Sequence, residues 1–142
     1  HGKKRTVNLR GFIDRIDSIG DKIRIIDYKT GKVKPDDVGL RVKDVTSEFI
    51  VESMSKKKHV LQLMLYAFLY HQNEGIIADP SIVSFVSGNN APFLLDLKKM
   101  NLEDVVNDFP AYIQIILDEV YDEDLAFKHE AKELFSYCQY CD

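Results

Sequence analysis

Three things are scarce or missing in this sequence, and each absence closes off a class of function. Its longest unbroken apolar runs fall far short of the roughly 20 residues that a membrane-spanning helix needs, and no signal-peptide pattern precedes them. It holds only two cysteines, Cys138 and Cys141. A pair so close in sequence cannot staple a domain, so a reducing, intracellular setting is the expectation. No Gly-x-x-x-x-Gly-Lys-Ser/Thr phosphate loop occurs, and 142 residues leave no room for a nucleotide-driven motor beside a folded domain. Internal repeats and low-complexity stretches are absent as well.

What is present reads as one globular domain over 1–142, with 45% hydrophobic and 30% charged residues. The formal net charge of −4 hides an asymmetry: residues 1–71 sum to +6 and residues 72–142 to −10. A polyanion meets the basic side and is repelled elsewhere, so the charge permits a nucleic-acid partner. Solvated surface lysines would give the same count.

The informative stretch runs from Gly11 to Gly31. Two β-branched apolar runs flank Ser18-Ile19-Gly20-Asp21-Lys22, the pattern of a β-hairpin. Residues two apart on a strand share a face. The second run therefore puts Ile23, Ile25, Asp27 and Lys29 on one side and Arg24, Ile26 and Tyr28 on the other. In the first run Asp14 falls between Phe12 and Ile16, while Arg15 and Asp17 face the opposite way. Carboxylates and an ammonium at the ends of apolar rows are costly unless they bind something or each other. A hard divalent cation with a lysine beside it is one solution, and a cross-strand salt bridge of Asp14 or Asp27 with Lys29 is the other.

Gly11-Phe12-Ile13-Asp14-Arg15-Ile16-Asp17 followed by Asp27-Tyr28-Lys29-Thr30-Gly31 resembles the metal-binding core of the PD-(D/E)XK nucleases. Within that superfamily it resembles the nuclease domains of the RecB and AddB type, to which the CRISPR-associated RecB-like exonucleases are related. Gln62-Leu-Met-Leu-Tyr66 is similar to the family's Gln-x-x-x-Tyr helix motif, and Cys138-Gln-Tyr-Cys141 to the start of its terminal cysteine cluster. The matches occur in the family's order over nearly the whole chain.

The resemblance implies an α/β fold, a restriction-endonuclease-like core with a mixed central β-sheet flanked by helices. It implies a DNA nuclease, an exonuclease module of a recombinational repair protein in the bacterial cytoplasm, with a helicase domain or subunit as partner. Asp14, Asp27 and the backbone carbonyl of Tyr28 would hold Mg²⁺ or Mn²⁺, and Lys29 would be catalytic. Gln62 and Tyr66 would support substrate contact, with Arg15 structural or touching the DNA backbone. Nothing matches the family's N-terminal helical region, which supplies a further ligand, so the chain is expected to be a C-terminal portion of a longer protein. Cys138 and Cys141 would be a remnant of an iron–sulfur cluster, incomplete in this chain. Two other readings stay open: a non-catalytic DNA-binding or scaffold module, and a CRISPR-associated exonuclease.

Further along, Lys32–Asp37 reads as a loop broken by Pro35. Residues 40–55 are ambiguous, with Val42, Val45, Phe49 and Ile50 as a loose helical face. Lys56-Lys57-Lys58 is either solvated or set against a DNA backbone. Val60 to about His71 is the clearest helix, almost wholly apolar, so its Gln62 and Tyr66 are core polar groups unless the motif gives them work. Ile82–Val86 and Phe93–Leu97 read as a second hairpin turning at Gly88–Asn90. Asn101 is expected to cap a helix with a Val105, Val106, Phe109, Tyr112, Ile116, Val120 stripe, kinked or split at Pro110. His59, His71 and His129 lack ligand-like spacing and are read as structural or exposed.

Overall fold

The apolar runs on either side of Gly20 pair as antiparallel strands, β1 (Arg15–Ile19) and β2 (Lys22–Lys29). The computed structural model describes residues 6–87 and 91–125. Only Gly20 and Asp21 join the two strands, a shorter turn than the sequence suggests, and Gly20 sits at φ +59. A two-residue hairpin needs that left-handed backbone, which glycine adopts without a steric penalty. The first strand begins at Arg15, not within the alternation that starts at Val7. There the Asp14 side chain, accepting from the Tyr28 N–H at 2.8 Å, takes over the end of the ladder.

β3 (Asp79–Ser84) lies parallel to β2, and β4 (Phe93–Leu94) lies antiparallel to β3. The result is a mixed four-stranded sheet in the order β1-β2-β3-β4 among the described residues. β3 starts and ends earlier than the apolar run Ile82–Val86. Phe85 and Val86 are 66% and 60% exposed past its end, and Pro80 lies inside it. Pro80 uses its carbonyl toward the β4 side, accepting from Leu95 N at 3.0 Å. Its missing N–H points the same way, where β4 is too short to ask for it. The expected turn at Gly88–Asn90 lies outside the described residues.

Parallel strands need a long crossover. It consists of a 3₁₀ turn, Pro35–Val38, then α1 (Ser47–Ser55) and α2 (Lys58–Glu74). α2 is longer at both ends than Val60–His71 and closes at Gly75, whose N–H donates to His71 O. Apolar side chains on most of its circumference give it three sides to bury. Val60 and Met64 pack with Leu40, Met54 and Phe109 between the helices. Leu63 meets Val33, Val38 and Ile82 over the sheet, and Tyr66 meets Ile25 and Ala78. α1 buries Ile50, Val51 and Met54, whereas Val45 and Phe49 of the expected face are 61% and 41% exposed.

α3 (Leu102–Val120) starts where Asn101 Oδ1 accepts from Glu103 N at 2.9 Å. It is not split at Pro110. That residue is on the exposed side, while Val105, Val106, Phe109 and Tyr112 bury the opposite stripe on both sides of it. No helix among the described residues is long and apolar enough to cross a membrane.

Because α2 joins the helical layer to the sheet, its buried side chains should dominate stability. Leu63→Ala and Met64→Ala are expected to cost about 2–5 kcal/mol each in urea unfolding. Phe12→Ala, at a position 91% exposed, should stay within about 0.5 kcal/mol.

Candidate active site

The pleat of β2 turns Ile25, Asp27 and Lys29 toward α2, and all three find partners there. Asp27 is 4% exposed. Its Oδ1 accepts from Gln62 Nε2 at 3.1 Å, and Lys29 Nζ donates to Gln62 Oε1 at 2.8 Å. Lys29 Nζ also lies 2.8 Å from Asp27 Oδ2. The three side chains therefore close a ring between one strand and one helix. The amide orientation is fixed by charge: flipped, Gln62 would set N–H against ammonium and oxygen against carboxylate. Its Nε2 further contacts the Tyr66 hydroxyl at 2.8 Å, one helical turn along the same face.

Asp27 Oδ2 meets only the Lys29 ammonium in this ring. It is buried, and despite the ion pair with Lys29 it has no hydrogen-bond partner of good geometry among the described residues. The Lys29 ammonium offsets the burial of this oxygen, which keeps a further lone pair that a cation could use.

Asp14 approaches from β1. It immediately precedes β1, where the ladder with β2 ends at the Arg15↔Ile26 pair, next to Asp27 in sequence. Its Oδ2 is held by the Tyr28 N–H at 2.8 Å. On a strand, a residue's carbonyl points to the same edge as its N–H, so the Tyr28 carbonyl also faces Asp14. Asp27 Oδ2, the second Asp14 oxygen and this carbonyl are the oxygens that could hold a hard cation. Among the described residues no group of three or more His, Cys, Asp or Glu is gathered to do so. The set suits Mg²⁺, which keeps several waters and uses one or two carboxylates.

Arg15 is not brought into this cluster. It lies on the other face of the sheet, 3.4 Å from Asp17, with its Nη1 3.5 Å from the Tyr28 hydroxyl. Asp17 belongs to Arg24 through two hydrogen bonds of 3.1 and 3.0 Å, which hold its carboxyl below the usual carboxylate range. The Tyr28 ring stacks on Phe85 on that same face, with centroids 5.4 Å apart. In the lysine run, Lys56 pairs with Glu52 and Lys57 with Asp36, while Lys58 has no ion pair among the described residues. Cys138, Cys141 and His129 lie outside the described residues.

Two residues beside the site were given no role in it from the sequence: Gly11 only opened the motif, and His59 was read as structural or exposed. Gly11 lies against Tyr66: a Cβ there would be 2.9 Å from Tyr66 Cε1 and 3.1 Å from Cδ1. His59 lies one turn before Gln62 on α2, half-buried, with its charge environment set partly by Lys29 and Asp27. Its three-residue spacing from Gln62 was the signal that could have found it.

The model for the PD-(D/E)XK nuclease superfamily matches residues 2–142. The chain belongs to that superfamily. The RecBCD enzyme subunit RecB of Mycolicibacterium smegmatis is similar, 34% identical over 67 residues, which is 47% of this chain and 6% of that protein. The chain thus spans a small fraction of the length of this relative. No solved structure matches it. The mixed sheet with helices against it agrees with the restriction-endonuclease-like fold of the superfamily.

The close approach at Gly11 links the segment before β1 to the ring beyond Tyr66. Gly11→Ala should force the Tyr66 ring away and cost about 1–3 kcal/mol in urea unfolding, as overpacking does. The loss should shrink in Gly11→Ala/Tyr66→Leu relative to the sum of the single changes, because the clash is then gone.

Proposed function

We propose that this chain is the catalytic portion of a metal-dependent deoxyribonuclease that hydrolyses phosphodiester bonds, acting as an exonuclease module of a RecB-like repair protein. One observation carries the reading. Asp27 and Lys29, two residues apart on β2, are fixed by Gln62 into a ring in which the buried Asp27 Oδ2 has the Lys29 ammonium, at 2.8 Å, as its partner among the described residues. Membership of a nuclease superfamily supports it, and so does the basic N-terminal half of the chain.

In this reading Asp27, Asp14 and the Tyr28 carbonyl hold Mg²⁺ or Mn²⁺, which when bound supplies Lewis-acid charge to the scissile phosphate. Lys29 keeps a positive charge beside the same phosphate as negative charge grows in the transition state. Its side chain is only 25% exposed, so its field is screened less than that of a surface lysine. Gln62 restrains both Asp27 and Lys29, and Tyr66 restrains Gln62. That order matters because small misplacements of reacting groups cost heavily in rate. The name of the relative, a subunit of RecBCD, supports a parent protein that works beside a helicase.

The 2.8 Å contact of Lys29 with Asp27 also suits a structural ion pair in a non-catalytic DNA-binding module. Mg²⁺-dependent cleavage of labelled DNA by the full-length protein separates the two readings. Asp27→Ala and Lys29→Ala should each lower the rate by at least about 100-fold. DNA affinity should change little, since backbone binding is spread over many Lys and Arg contacts. Cleavage by either variant at the wild-type rate would refute the assignment.

A further inference from the structure

We propose that His59 is a substrate-binding residue of this site, a neutral imidazole whose Nε2–H donates to a phosphate oxygen beside Lys29. The inference rests on the nuclease reading above and adds a residue to it.

His59 is in the first turn of α2, three residues before Gln62 and seven before Tyr66, so all three line one helix face. That face is the one Asp27 and Lys29 meet. The charged groups around the ring are Lys29 and Asp27 from β2, Lys58 from α2 and Asp37 from the 3₁₀ turn.

The state of the ring follows from its burial. Nδ1 is buried and has no hydrogen-bond partner among the described residues. Either neutral tautomer leaves Nδ1 without a partner, and the proposal places the proton on Nε2, the nitrogen from which it can be donated to a ligand. Nε2 is not among the buried unpartnered atoms and has no protein partner among the described residues, so it is open to a ligand. Charging the ring would strand the Nδ1–H in the interior. In agreement, burial and then the Lys29 and Lys58 ammonium groups hold the His59 pKa below its ordinary value. An imidazole kept neutral next to a lysine serves as a hydrogen-bond donor to an oxyanion, not as a second fixed charge.

His71 offers an internal contrast. Its Nδ1 is also buried and unpartnered, but it lies 12 residues further along α2, about 18 Å at the rise of an α-helix. Gln62, the α2 member of the Asp27–Lys29 ring, is nine residues from it, about 14 Å along the helix.

The test uses the full-length protein with Mg²⁺ and labelled single-stranded DNA. His59→Leu removes the donor, and His59→Gln restores one near the Nε2 position. We expect KM to rise about tenfold in His59→Leu, the size of one good hydrogen bond. It should recover in His59→Gln, kcat should change by less than a few-fold in both, and His71→Leu should leave KM alone. Nitrogen NMR of the ring should show the Nε2–H neutral tautomer from pH 6 to 8, whether or not DNA is present. An unchanged KM in His59→Leu would overturn the proposal, as would a proton on Nδ1. A fall in kcat that His59→Gln does not rescue would also overturn it, since that marks proton transfer in place of binding. If Asp27→Ala and Lys29→Ala remain fully active, the nuclease reading itself fails. If they are inactive and His59→Leu behaves as wild type, only this inference fails.

Discussion

Asp27 is a carboxylate placed 4% exposed on the inner face of a β-sheet, and it persists only because Gln62 and Lys29 answer it. Removing one partner from a buried charged pair strands the other, which is far costlier than the net worth of the pair. The ring of Asp27, Gln62 and Lys29 therefore fixes how α2 lies on β2. The donor comes from the helix and the acceptor from the strand, and neither element can turn or slide without breaking it.

The rest of the molecule keeps that contact in register. Leu63 lies over Val33, Val38 and Ile82 on one side of the Gln62 position. Val60 and Met64 carry the same helix into the layer formed with α1 and α3. On the sheet side, the parallel pairing of β2 with β3 sets Asp27 beside Ile82, a fully buried residue. The carboxylate thus sits at the edge of a buried apolar floor, where its charge is poorly screened. Gly11 adds a constraint from before β1, because only a residue without a side chain lets that segment lie against the Tyr66 ring.

Much of this was legible from residue types. The alternation in Lys22–Lys29 was enough to put Asp27 and Lys29 on one face, and the four-residue spacing of Gln62 and Tyr66 put them on one side of a helix. The errors have physical causes. The start of β1 was misplaced because a side chain, Asp14, replaces a backbone partner, and alternation cannot show that. β3 was shifted because Pro80 lies where no donor is demanded. Of the two outcomes expected at Pro110, kink or split, the split does not occur, because the stripe from Val105 to Tyr112 is packed on both sides of it. His59 was passed over because a ligand-like spacing was sought among histidines, whereas its relevant neighbour was Gln62.

The central claim is that Asp27 Oδ2, with Asp14 and the Tyr28 carbonyl, forms a cation site beside Lys29. The most direct measurement is anomalous scattering from crystals of the protein soaked in Mn²⁺. The account predicts one strong peak in contact with both the Asp14 and Asp27 carboxylates, lost in Asp27→Asn. A fully loaded crystal with no peak there, or with Asp27 held only by Lys29 and Gln62 at saturating Mn²⁺, would contradict it.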